Sequence, residues 1–411
     1  MKSDLDNLMK SQELEAILIT GPGLHNPPMV YMTGGAFLTY ADLIKTTGKS
    51  PVLFYRSMER DEAARTGLQM RNIDDYHLDE LLKRFDGDLL ATTVERYRLM
   101  FGEMGISHGK IGVYGQIDAG QALALFTALQ SAIPNLEFLG QFPDAVLVSA
   151  MQTKDQEEIE RIRKMGQITV EVVGKTADFL SSHRAVNETL VKLDGNPLTI
   201  GDVKRYIDLW LVERGAENPE GTIFAIGRDA GVPHSTGINT NPLLLGQTIV
   251  FDIFPRLAES GYYHDFTRTW CLGFATDEVY TVYEDVYSVF TQIKKELHLG
   301  ASCRDMQALA CDLFEARDHP TQRSDPNTTN GFVHSLGHGL GLHIHEQPFF
   351  RLTSPEDLQL EAGNVFTVEP GLYYPERGLG IRLEDTVWAR QDGVFETLAD
   401  FPYDLVLPIK K

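Results

Sequence analysis

The chain has 411 residues, 43% hydrophobic and 23% charged, with a formal net charge of −21. This composition is that of an ordinary soluble globular protein, and the length allows two domains that each bury a core. The acid excess argues against nucleic acid or an anionic membrane as a partner, because both would repel it.

The segment Met1-Lys2-Ser3-Asp4-Leu5-Asp6 has no cationic stretch leading into an apolar one, and no apolar run reaches the length of a membrane span. Three cysteines, Cys271, Cys303 and Cys311, are too few and too irregularly spaced for a disulfide framework or a zinc knuckle. A reducing, cytoplasmic setting is expected, with Cys303 and Cys311 as core thiols of a helix.

In chain order, Ala16–Ile19 reads as a short strand ending at Gly21-Pro22, and Met29–Met32 as another ending at Gly34-Gly35. A third strand is expected at Pro51–Phe54, then a helix over Glu59–Gly67 and a strand over Lys110–Tyr114. Ala119–Ala132, rich in Ala, Leu and Gln, reads as a helix. Strands alternating with helices imply an α/β domain over residues 1–150. No Gly-rich phosphate loop is visible in it.

A boundary falls near Val148–Asp155. There Thr153-Lys154-Asp155-Gln156 has the form of a capping box, a hydroxyl at the N-cap and Gln three residues on. Ile159, Ile162, Ile168, Val172 and Val173 follow at helical spacing, so a long amphipathic helix opens a second domain over residues 151–411. Asn187–Ile200 reads as loop, Gly201–Gly215 as helix and Thr222–Ile226 as strand. Helices are expected over Asp277–Leu299 and Asp305–Ala316, then a polar loop over His319–Asn330 and short strands beyond.

Within this domain, Thr248–Thr269 reads as a β-hairpin with one carboxylate in each arm. Asp252 lies in the apolar first arm, and Asp265 ends the second, Gly261–His264. A buried carboxylate needs a partner charge; either a metal cation or the nearby Arg268 would serve. Farther on, Gly337-His338-Gly339-Leu340-Gly341 sets a histidine among glycines, which permit close backbone approach or positive φ. Histidines cluster here, His334, His338, His343 and His345, followed by Glu346. The alternation of His343 and His345 is expected to put both on one face of a strand.

Phe366–Gly371 is again an apolar strand ending on an acid, Glu369, and Gly380–Val387 carries Arg382 and Glu384 on one face with Asp385 opposite. A lone histidine or acid is ordinarily surface or core, but four acids with a Gly-flanked histidine have few such explanations. If Asp252, Asp265, His338, Glu369 and Glu384 converge, their charge demands polyvalent cation. Carboxylate-dominated sets suit Mn²⁺, Co²⁺, Fe²⁺ or Zn²⁺ over copper. Five protein ligands exceed what one catalytic metal with open positions takes, so two bridged metals fit better. Such a pair acidifies a bridging water and polarises a carbonyl, which implies hydrolysis.

In this order, the five segments resemble the pita-bread metallopeptidases: methionine aminopeptidase, aminopeptidase P and prolidase, with the catalytically different creatinase. The resemblance covers Thr153 to the C-terminus and rests on the ordered set. It implies an α/β N-terminal domain plus an α+β pita-bread (creatinase/aminopeptidase-like) catalytic domain. It also implies that Asp252 and Asp265 are the hairpin ligands, with Asp265 and Glu384 bridging two metals and His338 and Glu369 ligating one of them. His234 in VPHSTG and His345 in HIHEQP resemble the histidines that bind substrate and steady the tetrahedral intermediate. Arg382 resembles the arginine that orients the site, and Glu369 would also relay the proton to the leaving amine.

An N-terminal domain of this size groups the chain with aminopeptidase P, prolidase and creatinase, and the complete ligand set puts creatinase aside. The implied activity is cleavage of the Xaa-Pro bond of short proline-containing peptides by a metal-bridging hydroxide, as an Xaa-Pro aminopeptidase or dipeptidase. Two divalent ions, Mn²⁺ foremost, and a homodimer are implied with it. Two alternatives stand beside it: the same metal site used for lyase or phosphoester chemistry, and an inactive peptidase-like binding module. The chain departs from the family at Phe254, where a small residue is usual, and in a longer segment, Ile253–His264, between the two acids. His264 is expected either behind the ligands or exposed.

Overall fold

The computed structural model describes residues 2–410; Met1 and Lys411, the outer ends of the two expected domain ranges, lie outside the described residues. The fold divides into two compact units. The first runs to Met151 and includes Glu259–Gly261, and the second holds Gln152–Ala258 and the chain from Tyr262 onward. No described helix is long and apolar enough to cross a membrane.

The first unit is built on a mixed six-stranded sheet. Its strands are β1 (Leu14–Gly21), β2 (Ala41–Thr46), β3 (Val52–Tyr55), β4 (Gln69–Asn72), β5 (Gly109–Gly115) and β6 (Leu136–Leu139), in the order β4-β3-β2-β1-β5-β6. Ala16, Leu18, Ile44, Phe54 and Ile111 from the sheet bury against Tyr97, Met100 and Phe101 of the Leu89–Glu103 helix and Leu129 of the Ala119–Ala132 helix.

Met29–Met32, expected as a strand, lies in a helix, Pro27–Thr33. Prolines at its first positions pre-set the helical φ, and Gly34 closes it with φ of 80°. Those start and stop signals outweigh an apolar run too short to declare its own period. Strand β2 escaped the reading because Asp42 and Lys45 interrupt its apolar pattern. In the fold Asp42 is buried; its Oδ2 lies 3.2 Å from Arg96 Nη2, and its Oδ1 accepts a 2.7 Å hydrogen bond from the Tyr97 hydroxyl.

In the second unit the long helix spans Gln156–Ser181, and its cap is Asp155 rather than Thr153. The Asp155 carboxylate accepts from the Glu158 N–H while Glu158 accepts from the Asp155 N–H. Thr153 is engaged elsewhere, bridging Asn364, so the reciprocal cap falls two residues later. Asn187–Ile200, expected as loop, includes one strand of a two-stranded hairpin, Arg184–Val186 with Thr189–Val191.

This unit has two halves, each a pair of helices packed on β-strands; the first half's sheet is antiparallel except where Val406–Leu407 joins Phe266–Leu272 in parallel. In the first half, the Gln156–Ser181 and Ile200–Val212 helices pack Val172, Val173, Ile207 and Leu211 against Phe224, Ile249, Phe251, Ile253, Phe266 and Trp270. In the second, the Asp277–Glu296 and Cys303–Glu315 helices pack Val286, Phe290, Cys303 and Phe314 against Phe366, Val368, Ile381 and Leu383. Strand period two then dictates the opposite faces. Asp252, Asp265, Thr267, Thr367, Glu369, Arg382 and Glu384 alternate with core residues and turn away from the helices.

The hairpin differs in one respect from the expectation. Its first strand is Thr248–Ile253, but the second begins at Phe266 and runs to Leu272, so Asp265 stands just ahead of its strand. The residues before it are drawn aside, with the Tyr263 N–H bonded to Gly341 O at 2.8 Å. Gly380–Val387 is also not one strand. It breaks between Leu379–Arg382 and Asp385–Ala389, and Glu384 bridges Thr267 in the gap.

Arg268 fastens this junction. Buried to 1% exposure, it donates to Glu384 O at 2.8 Å, Thr267 O at 2.9 Å, Phe401 O at 2.9 Å, Pro402 O at 3.1 Å and the Asp385 carboxylate at 3.0 Å. Its guanidinium also lies over the Phe266 and Tyr403 rings, 4.1 and 4.2 Å from their centroids. Burial alone would raise the Asp385 pKa, but Arg268 and Lys294 hold it below the usual carboxylate range. Removing one member of such a pair strands a buried charge, so Arg268→Met should cost about 3–5 kcal/mol. Chemical denaturation of the metal-free protein measures this; a loss under about 1 kcal/mol would show that Arg268 fastens nothing.

Candidate metal centre

A cavity of about 620 Å³ opens in the second unit, and all five expected ligands line it: Asp252, Asp265, His338, Glu369 and Glu384. His234, His345 and Arg382, the other expected site residues, line it as well. One oxygen of Asp265, one of Glu384 and a His338 nitrogen lie within 4.8 Å of one another. The Nε2 of His338 is 3.6 Å from Asp265 Oδ2 and 3.4 Å from Glu369 Oε1.

Each ligand is oriented by a partner behind it. His338 Nδ1 is 3.1 Å from Gly339 O, so the proton belongs on Nδ1 and the Nε2 lone pair faces the carboxylates. The flanking glycines are needed for close approach rather than positive φ. A Cβ at Gly337 would sit 2.0 Å from Thr367 O, and one at Gly339 would sit 2.0 Å from Gln347 O. Two threonines play matching parts. Thr367 Oγ1 accepts from the His338 N–H at 3.0 Å and donates to Glu369 Oε1 at 3.2 Å. Thr267 Oγ1 accepts from Arg382 Nε at 3.2 Å and donates to Glu384 Oε2 at 2.7 Å.

Arg382 is the cation bonded among these acids. Its Nη2 pairs with Asp252 Oδ2 at 2.5 Å and its Nη1 donates to the Tyr373 hydroxyl at 2.7 Å. Arg268, the alternative partner for the hairpin acids, contacts neither carboxylate; its own partner is Asp385. One guanidinium cannot balance four carboxylates, and the ionisation of the group records this. Burial first, then the charges of Asp252 and Glu369, push the Asp265 carboxyl well above its ordinary range. Burial and the charge of Asp265 do the same to Glu384. Glu369 is raised to about 7 by burial, with Arg382 opposing and Asp252 adding. Burial next to His345 lowers His338 to about 3, leaving a neutral imidazole.

The donor set fits hard divalent cations: carboxylate oxygens in excess, one imidazole with a free Nε2, and Asp252 Oδ1 buried with no hydrogen-bond partner among the described residues. His343 and His345 do not sit on a strand, because residues 341–345 form a loop and the strand begins at Glu346. Buried Glu346 holds that loop, accepting from the His343 N–H at 3.4 Å and pairing with buried Lys154. The His345 ring stands edge-on to His338, 4.3 Å between centroids.

Two further residues belong to the site. In the sequence His334 stands out only as one of a cluster. Its Nδ1 is 2.7 Å from Ser335 O and its Nε2 is 2.9 Å from the Tyr373 hydroxyl, which receives Arg382 on its other side. Tyr373 carries no sequence signal, since an aromatic in a buried strand reads as core. His264 is wholly buried rather than exposed, packed on Gly166, and does not line the cavity; burial lowers it to about 3.

Metallopeptidase family M24 matches residues 160–391 of the chain. An Xaa-Pro dipeptidase of Pyrococcus furiosus is 27% identical over 251 residues, which is 61% of this chain and 64% of that relative, so the match spans less than two thirds of it. Among solved structures, a dipeptidase from Pyrococcus horikoshii has a TM-score of 0.75 at 21% identity, covering 98% of this chain and 99% of that one. An X-Pro aminopeptidase from Thermotoga maritima has a TM-score of 0.74 at 22% identity, covering 96% and 97%. These likenesses are of fold, an α/β N-terminal unit followed by a pita-bread domain.

The raised carboxyls set a pH dependence. A carboxyl whose pKa is higher folded than unfolded binds its proton more tightly in the folded state. Its stabilisation is therefore full at low pH and lost as pH rises through the folded value, about 7 for Glu369. Metal-free protein should melt at progressively lower temperature from about pH 5 to pH 8, and its affinity for Mn²⁺ should rise over the same interval. Thermal melts with chelator and with Mn²⁺ measure both; a metal-free melting point that rises with pH would contradict the arrangement.

Proposed function

The chain belongs to metallopeptidase family M24, and from that premise we propose that it is a metallo-exopeptidase cleaving the Xaa-Pro bond of short peptides. The observation that carries the reading is the meeting of Asp252, Asp265, His338, Glu369 and Glu384 in one cavity with both histidines and the arginine expected of the site. Asp252, Asp265, His338, Glu369 and Glu384 would hold two divalent cations, Mn²⁺ foremost. When bound, such a pair supplies Lewis-acid polarisation of the scissile carbonyl and a water acidic enough to attack it at neutral pH.

The remaining steps fall to the chain itself. Water oxygen joins the scissile carbonyl carbon, the C–N bond to proline breaks, and the proline nitrogen must gain a proton. Glu369, raised to about 7, is poised to take the water's proton on its carboxylate and pass it to that nitrogen. His234 and His345, open to the cavity, can donate hydrogen bonds to the substrate carbonyls as negative charge grows on them. Arg382 holds the Asp252 carboxylate in place, and through Tyr373 fixes His334. Arg351, on the cavity wall and stacked on Phe349 at 4.4 Å, offers a cation to a free C-terminal carboxylate, which favours a dipeptide.

Hydrolysis of an Xaa-Pro dipeptide, an Xaa-Pro-Yaa tripeptide and their Ala-for-Pro counterparts by Mn²⁺-loaded protein, read by mass spectrometry, tests the proposal. Cleavage confined to the proline peptides is expected, with the dipeptide cleaved faster. Faster cleavage of the tripeptide would make the chain an aminopeptidase, and no cleavage with metal bound would overturn peptidase activity.

A further inference from the structure

The departure at Phe254 has a structural counterpart. The Thr248–Ile253 strand turns Asp252 into the cavity, and Phe254 continues that inner face one step on, about 6–7 Å along the chain. Ile223, the cross-strand partner of Asp252, lines the same wall. Beyond them stands Glu220, the one carboxylate lining the cavity that is not an expected ligand.

Glu220, exposed at the cavity wall, is tethered through one carboxylate oxygen. The buried Tyr263 donates its hydroxyl hydrogen to Glu220 Oε1 at 2.7 Å and accepts one from Arg256 Nη1 at 3.3 Å. Tyr263 is itself fixed by its N–H bond to Gly341, at the base of the loop that carries His345. Glu220 Oε2 accepts no hydrogen bond among the described residues, so the carboxylate, which lines the cavity, keeps an open acceptor. Tyr263 anchors Glu220 without cancelling its charge.

We propose that Ile223, Phe254 and Glu220 form the subsite for the side chain of the substrate's N-terminal residue, and that this subsite selects a long cationic side chain, lysine or arginine. The inference rests on the exopeptidase reading above. Phe254 and Ile223 would cover the methylene stem, the aromatic face would attract the cation, and Glu220 would take the charged end. The direction follows from charge. The C-terminal carboxylate belongs at the wall that carries Arg351, since Glu220 would repel it, so the N-terminal residue's side chain faces Glu220. A neutral chain of equal length would fill the apolar part and leave the acid unpaired.

The experiment compares lysyl-proline, norleucyl-proline and glutamyl-proline on the full-length, Mn²⁺-loaded protein. Turnover is measured as kcat/KM and binding by calorimetry, for wild type, Glu220→Gln and Glu220→Lys. Glutamine keeps an oxygen for the Tyr263 hydroxyl while removing the charge. Wild type should prefer lysyl- over norleucyl-proline by about fivefold, the scale of a partly solvated ion pair. Glu220→Gln should bring that ratio to about one, and Glu220→Lys should turn the preference toward glutamyl-proline. Cleavage with no lysine preference in wild type, or a preference that survives Glu220→Gln, would overturn the subsite while leaving the peptidase reading intact. A binding preference without cleavage would support the subsite and overturn the peptidase reading; neither preference nor cleavage would overturn both.

Discussion

Four carboxylates face one another across a buried cavity, and the guanidinium bonded among them belongs to a single arginine. In a medium of low dielectric, such a group must hold extra protons or bind cations. The raised carboxyls of Asp265, Glu369 and Glu384 are the first outcome, and the open lone pair on His338 Nε2 with the unpartnered Asp252 Oδ1 provide for the second. The rest of the unit keeps these charges together. Arg268 seals the strand junction behind Glu384, Thr267 and Thr367 aim two of the acids, and Gly337 and Gly339 let the histidine segment close onto its neighbours.

One periodicity builds both the core and the site. Ile249, Phe251 and Ile253 face one helix pair while Asp252 faces inward; Phe366 and Val368 face the other pair while Thr367 and Glu369 face inward. A one-residue slip in either sheet would drive the acids into a hydrocarbon core and expose the apolar face to the cavity. The helices therefore enforce the register on which the charge cluster depends.

Much of this is legible in the sequence. Acids placed inside otherwise apolar strands violate strand preference, and four such violations beside a Gly-flanked histidine identify the site-forming segments. The long helices of the second unit and strands β1, β3 and β5 of the first were legible from their uninterrupted apolar pattern, whereas β2, β4, β6 and the Leu89–Glu103 helix were not. What stayed hidden depends on contacts between distant segments. Tyr373 looks like core, although its hydroxyl joins Arg382 to His334. Strand β2 was obscured by charges neutralised only in the fold, and Glu220 is an unremarkable loop acid until Tyr263 fixes it against the cavity. The choice of Arg382 over Arg268 as the counter-ion for Asp252 could not be made from spacing either, because the pair spans two halves of the unit.

The proposed role of this carboxylate cluster is to hold two divalent cations, and the number bound per chain tests it. Mn²⁺ titrated by calorimetry into chelator-stripped protein at about pH 8, above the raised Glu369 value, should bind at two sites per chain. Glu384→Gln should remove that binding while circular dichroism shows the fold retained. A wild-type protein that binds one cation or none, or a Glu384→Gln protein that still binds two, would contradict the account.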